Sequence, residues 1–206
     1  MKLIRTMAEI DAKTVMTLRK SSGAPMMDCK KALIEADGDM GKAQDIIRKK
    51  GLQSADAKAS RDVKEGVIFH YLHHDKKLGV LAEVACETDF VARNDEFQAF
   101  GKDLCLHIAA IKPRFLDREQ VSEADIENER KFLTEQAAEQ MSGKAQEMID
   151  KAVDGRMKKF FSEHCLMDQP WVKEDKKTVE EVRRELVGHI GENIQVRRFV
   201  RLQLGE

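Results

Sequence analysis

Apolar and polar positions change period along this chain, and the changes mark its elements. Leu78, Val80, Ala82, Val84 and Cys86 alternate with Gly79, Leu81, Glu83, Ala85 and Glu87, the period of a strand with one buried face. The strand is expected over residues 77–86, paired with another over residues 66–73. Asn94-Asp95-Glu96 then opens a run in which Phe97, Phe100, Leu104, Ile108 and Ile111 recur at helical spacing, with acids in the first turn where the dipole favours them. A helix near residues 179–190 and a final strand over residues 194–204 complete an α+β arrangement with a three-stranded antiparallel sheet. In that last strand Val196, Val200, Leu202 and Leu204 alternate with Gln195, Arg197, Arg201 and Gln203, which predicts one buried face; Arg198 and Phe199 break the pattern.

Ahead of the strands the apolar spacing is three and four. Asp11 predicts an N-cap, Val15 and Leu18 share a face, and Ser21-Ser22-Gly23 breaks the run. Pro25 opens a second helix at the first helical position, where its missing N–H does no harm. Met26, Cys29, Ala32, Leu33 and Ala36 follow, and Asp37-Gly38-Asp39 ends the helix. A third helix carries Met40, Ala43, Ile46 and Ile47 and stops at Lys49-Lys50-Gly51. These helices make a unit over residues 8–51. Residues 52–64 are small and charged without an apolar face and read as a linker, with room for some helix, about which the two ends move.

The core α+β domain takes residues 65–121 and resumes over residues 170–206. Between them, residues 122–169 carry two apolar stripes, Ile126, Leu133, Ala137 and Met141, then Ile149, Ala152, Val153, Met157, Phe160 and His164, separated by Ser142-Gly143. Folding back at that glycine gives an antiparallel helical hairpin; two ordinary helices packed on the core fit the same periodicity.

Composition narrows the function classes. A formal net charge of -1 with 35% charged residues lacks the basic excess of a protein whose main ligand is nucleic acid, which points to a protein partner. No apolar run approaches the ~20 residues that span a bilayer, and Met1 to Thr6 are too short and polar for a signal peptide, so no membrane is implied and the cytoplasm is the expected location. Met1 to Thr6 are excluded from the fold as an upstream start or an added remnant. Cys29, Cys86, Cys105 and Cys165 are widely spaced without zinc or redox spacing, and read as small buried hydrophobes of a reducing compartment.

The string Cys86-Glu87-Thr88-Asp89-Phe90-Val91-Ala92-Arg93-Asn94 is the most informative. Phe90 stands where strand gives way to helix, a junction held on both sides from which residues commonly act on a partner. A core ring plugging the end of the sheet fits the spacing at least as well. Reaction machinery is missing from the pattern: there is no Gly-Lys-Ser/Thr phosphate loop, Gly-x-Gly-x-x-Gly, His-Glu-x-x-His or Gly-x-Ser-x-Gly. His70, His73, His74 and Asp75 are the densest group of potential metal ligands, but His70 and His74 cannot share a strand face with His73, so no metal and no cofactor is assigned.

Three strings together, Met26-Met27-Asp28-Cys29-Lys30-Lys31-Ala32-Leu33, Thr88 to Asn94 and Gly191-Glu192-Asn193-Ile194-Gln195-Val196-Arg197-Arg198, resemble the elongation factor Ts family, and the likeness covers nearly all of residues 8–206. The resemblance implies a ubiquitin-associated-like first domain, a coiled-coil arm at residues 122–169, and a guanine nucleotide exchange factor for elongation factor Tu, bound in its GDP-loaded and nucleotide-free states. Such a factor is not an enzyme; it works without covalent chemistry. Carried over by position, Thr88, Asp89, Phe90 and Val91 form a wedge entering the partner beside its magnesium and phosphates. Arg19, Met26 and Met27 are contacts of the first domain, although a Met pair at a helix start also reads as core. His73 falls in a contact loop, with His74-Asp75-Lys76-Lys77 replacing a Gly-rich turn. The chain carries one copy of a sheet subdomain that longer members have twice, which suggests a homodimer through Val67, Phe69, Tyr71 and Leu81; those residues equally suit a place under a helix. Two other function classes compete: an adaptor built on the ubiquitin-like domain without exchange activity, and a metal-dependent enzyme centred on the histidines.

Overall fold

The computed structural model describes residues 10–141 and 143–206, so Met1 to Thr6, the Met7-Ala8-Glu9 start and Ser142 of the expected hairpin turn lie outside the described residues. The chain groups into two units. One holds the residues through Gly66 with Ala85–Phe97 and Arg183–Gln195; the other holds Val67–Val84, Gln98–Val182 and Val196–Glu206.

In the first unit Asp11 caps α1 (Ala12–Ser22) by accepting from the Lys13 N–H at 3.2 Å, and Gly23 ends the helix at φ 67°, a left-handed turn that favours glycine. Pro25 precedes the second helix by one residue instead of opening it. α2 is Met26–Glu35, and the Pro25 carbonyl accepts from the Asp28 and Cys29 N–H groups. Asp39 caps α3 (Met40–Lys58) through the Lys42 N–H at 3.0 Å, and that donor holds the Asp39 carboxyl below the ordinary carboxylate range. Val15, Leu18, Cys29, Ala32, Leu33, Ala43 and Ile47 close a core at the expected spacings, with Met40 and Ile46 packed against it. Met26 is the exception and stays exposed.

The third helix does not stop at Gly51. α3 covers Met40–Lys58. Gly51 lies against the second half of α8 (Val179–Ile190), where a Cβ on Gly188 would come within 2.8 Å of the Gly51 Cα. The glycines let two backbones touch, and buried Ala55 anchors the turns beyond. A glycine inside a helical pattern reads locally as a break; here tertiary contact repays its helix cost of about 1 kcal/mol.

β1 (Glu65–Leu72), β2 (Leu78–Cys86) and β5 (Ile194–Gln203) form a three-stranded antiparallel sheet in the order β1-β2-β5, giving the α+β class expected. In the second unit the β1–β2 turn closes through the His73 N–H to the Leu78 carbonyl at 2.9 Å. The Leu204 N–H meets the Lys77 carbonyl at 2.9 Å and Arg198 Nε meets Glu83 at 2.7 Å, which sets the β2–β5 register. The buried Phe69 ring lies on α5 (Asp95–Ile111), where a Cβ on Gly101 would come within 2.1 Å of it. Buried Cys105 on the same helix has its thiol pushed up to about 11 by burial.

One expectation about faces fails, along β5, and the two places open to Val67, Phe69, Tyr71 and Leu81 divide the set. Phe69 lies under the helix with Val67 and Tyr71 on its side of β1, which leaves Leu81 outside with Ile68, Leu72, Val200 and Leu202. Along β5, Arg197 and Arg198 are both exposed, so Val196 faces inward while Val200, Leu202 and Leu204 face outward. With a side-chain period of two, a one-residue irregularity exchanges the faces of everything beyond it.

The helical hairpin is present. α6 (Glu123–Gln140) and α7 (Gln146–His164) bury Leu133, Ala137, Ile149, Val153 and Met157 in one cluster, with Ile126, Met141 and Phe160 against it. Periodicity missed a small element: β3 (Pro170–Trp171) pairs antiparallel with β4 (Glu174–Thr178), whose charged sequence shows no strand pattern. That pair sets Trp171 on fully buried His107, with ring centroids 5.3 Å apart and 14° between planes. The Val172 N–H donates to His107 Nδ1 at 3.2 Å, so the proton sits on Nε2, which donates to Gln169 Oε1 at 2.9 Å. Among the described residues no helix is long and apolar enough to cross a membrane.

Burial lowers the His107 pKa from 6.5, and the unfolded chain therefore takes up the proton first as pH falls. The stability this histidine contributes is whole above pH 6.5 and is lost below it. Urea unfolding at about pH 7.5 and about pH 5.5 should show the gap in midpoint between the natural protein and His107→Gln narrowing at the lower pH. A constant gap would refute the neutral assignment.

Candidate functional site

The Thr88 to Asn94 turn is built from local hydrogen bonds that the residue types require. After β2 ends at Cys86, Thr88 is extended (φ -130°, ψ 157°), and its Oγ1 accepts from the Val91 N–H at 3.4 Å, capping the single turn α4 (Asp89–Ala92). Asn94 Oδ1 then accepts from Glu96 at 2.8 Å and Phe97 at 3.3 Å, which starts α5. Val91 and Ala92 are buried and Phe90 is 79% exposed, because one helical turn points successive side chains in different directions. Asp89 pairs with Arg93 at 2.7 Å along the outer side. Of the four residues assigned to the wedge, Asp89 and Phe90 face solvent, Thr88 is the cap and Val91 is the inward anchor.

Two carboxylates, one on each side, brace this turn against a distant stretch of sequence. Glu192 accepts from the Thr88 N–H at 3.1 Å and from Thr88 Oγ1 at 2.8 Å. Glu87 in return accepts from the Asn193 N–H at 2.6 Å, and Arg61 stands 3.4 Å from the same carboxylate. Buried Asn193 donates through Nδ2 to the Ala59 carbonyl at 3.2 Å and the Arg61 carbonyl at 2.9 Å. The Cys86 thiol, bonded to the Thr88 carbonyl at 3.2 Å, is pushed up to about 11 by burial and then by the Glu192 charge, so it stays protonated and inert. The string from Gly191 to Arg198 marked this region in the sequence, but its task as a brace was not legible there.

In the three-helix group Met27 is 61% exposed and Met26 40%, flanking the Gly23 turn with exposed Arg19, so the pair lies outside the core. Met16, exposed three residues before Arg19 on the same helical face, escaped the sequence reading although the i, i+3 spacing could have found it. In the second unit His73 is half-buried. Its Nδ1 meets Asp75 Oδ1 at 2.9 Å, and Lys76 closes the turn at φ 59°. The Lys77 N–H, and after it His73, holds the Asp75 carboxyl below the ordinary range. His74 lies beside His73 with ring centroids 4.2 Å apart and planes tilted by 48°, and among the described residues no three His, Cys, Asp or Glu side chains gather as a metal site.

Thr88→Val removes the hydroxyl that serves both cap and brace and leaves Glu192 without one donor. Amide exchange over residues 89–94 should quicken by about tenfold, one buried hydrogen bond's worth, while α1 to α3 stay protected. Unchanged exchange in the turn would show that the brace carries no strain.

The family model described as Elongation factor TS matches residues 52–206. Elongation factor Ts of Desulforamulus reducens is 49% identical over 200 residues, covering 97% of this chain and 91% of that protein. The Anaeromyxobacter sp. protein of the same name is 50% identical over 200 residues, with coverage of 97% and 90%. That of Fervidobacterium nodosum is 47% identical over 198 residues, covering 96% of this chain and all of its own. With the family match spanning most of its length and relatives near half identical across nearly all of it, the chain belongs to the elongation factor Ts family.

Proposed function

We propose that this protein is a guanine nucleotide exchange factor for elongation factor Tu in translation elongation, and that Phe90 is the group it drives into the partner. The observation that carries the wedge is a ring 79% exposed on a turn whose every other member is capped, anchored or paired. Burying such a ring in a partner gains apolar transfer energy that the fold itself leaves unused. Membership of the elongation factor Ts family supports the partner and the cytoplasmic setting.

The action needs no covalent step. GDP stays on a GTPase because magnesium and backbone donors hold its phosphates. Burying one Phe ring supplies about 1.5 to 3 kcal/mol, worth roughly tenfold to a hundredfold in an equilibrium constant. The rest of the interface, including Arg19, Met26 and Met27 and the His73 loop, must therefore favour a partner conformation in which the magnesium and phosphate site is distorted. Linkage makes the effect reciprocal, so nucleotide weakens the factor's hold as the factor weakens the nucleotide's.

Phe90→Ala is expected to keep its unfolding midpoint and to slow release of fluorescent GDP from elongation factor Tu by about tenfold or more. An unchanged release rate rejects the wedge.

A second copy of the chain is the proposed further partner. The open sheet face presents Ile68, Leu72, Leu81, Val200 and Leu202, a set that shares only Leu81 with the one the sequence suggested, and supports pairing of two such faces. Sedimentation at micromolar concentration should give a dimer that Leu202→Lys dissociates; a monomer for the unsubstituted protein removes the proposal.

A further inference from the structure

Two candidate contact surfaces, the one around Gly23 and the Phe90 turn, are tied to the same few residues at the end of α8. On the side of the three-helix group, Gly188 sits so close to Gly51 that a Cβ would come within 2.8 Å of the Gly51 Cα. Arg184 Nη2 donates to the Leu52 carbonyl at 3.1 Å and also pairs with Asp56, and Arg48 Nε stands 3.4 Å from Glu185. The His189 ring fills the space beside Gly23, where a Cβ would meet Nδ1 at 2.9 Å and Cε1 at 3.1 Å. Gly23 is the turn between Arg19 and Met26. On the side of the Phe90 turn, His189 Nδ1 stands 3.9 Å from Glu96 in the first turn of α5, and the brace formed by Glu192 and Asn193 follows directly in sequence.

We propose that Gly188 and His189 are positioning residues that join the three-helix group and the Phe90 turn into one rigid gripping element, so that contact made at Arg19, Met26 and Met27 is delivered as strain at Phe90. The proposal rests on the exchange reading above. The physical difference from a tether is large. Two surfaces on a flexible tether add affinity through effective concentration and leave each site to act alone. Two surfaces on one body bind only a partner shaped to both, and the second contact is realised as deformation of that partner. Residues 52–58, helical and held along α8 by Arg184, are part of the joint.

A measurement without the partner tests the joint itself. Spin labels on Lys31→Cys and Asp95→Cys go to exposed positions, since the native cysteines are buried. Pulsed dipolar spectroscopy should give one narrow distance distribution, broadened by Gly188→Leu and by His189→Ala, the latter leaving the helix backbone untouched if the former fails to fold. A distribution already broad in the otherwise unsubstituted protein overturns the proposal. With elongation factor Tu and fluorescent GDP, His189→Ala should lower the maximal release rate roughly fivefold with little change in the half-saturating concentration. An unchanged maximal rate, or a loss confined to half-saturation, overturns it as well. If the unsubstituted protein gives no acceleration at all, the exchange reading fails, and the label distances still decide the joint.

Discussion

The structure around the candidate site depends on one exchange of hydrogen bonds, in which Glu192 holds Thr88 and Glu87 holds Asn193. Bonds to an ionised carboxylate are worth about 1.5 to 3 kcal/mol each. Because the carboxylates come from both sides of the crossing, neither the end of β2 nor the turn before β5 moves without breaking bonds to the other. Thr88 then passes the constraint on, since its hydroxyl donates to Glu192 and accepts from Val91. Burial of Val91 and Ala92 completes the orientation and leaves Phe90 facing water.

That exposure has a thermodynamic meaning. An uncovered ring forfeits about 1.5 to 3 kcal/mol that a buried one would contribute to folding. The chain surrounds it with satisfied caps and pairs, so the turn keeps its shape without help from the ring. A side chain that the fold does not use is available for binding, and preorganisation of its backbone reduces the entropy lost when it binds.

Glycine has a consistent use in both units, as a site of contact. Gly188 lets α8 touch α3 at Gly51, Gly23 receives the face of His189, and Gly101 receives the ring of Phe69. Only at Gly23, with φ 67°, is a left-handed backbone also required. The remaining contacts exploit the absent side chain, and so they mark where elements approach and carry no local signature of that use.

Much of the fold was legible in the residues because its causes are local. The period of two in Val80, Ala82 and Val84, the cap at Asp11, the helix start at Asn94, and the facing stripes of the helical hairpin act over a few residues each, and each appears where the sequence puts it. The string around Phe90 marked a strand-to-helix junction that the structure contains, yet spacing alone fitted a buried ring as well as an exposed one. What tertiary structure decided was direction and continuation: which way Phe90 points, which face Val200 and Leu202 take after the two arginines, whether α3 ends at Gly51, and which carboxylate holds Thr88. Those outcomes depend on groups more than a hundred residues away in sequence or on a one-residue shift that reverses a face, and a local period holds no information about either.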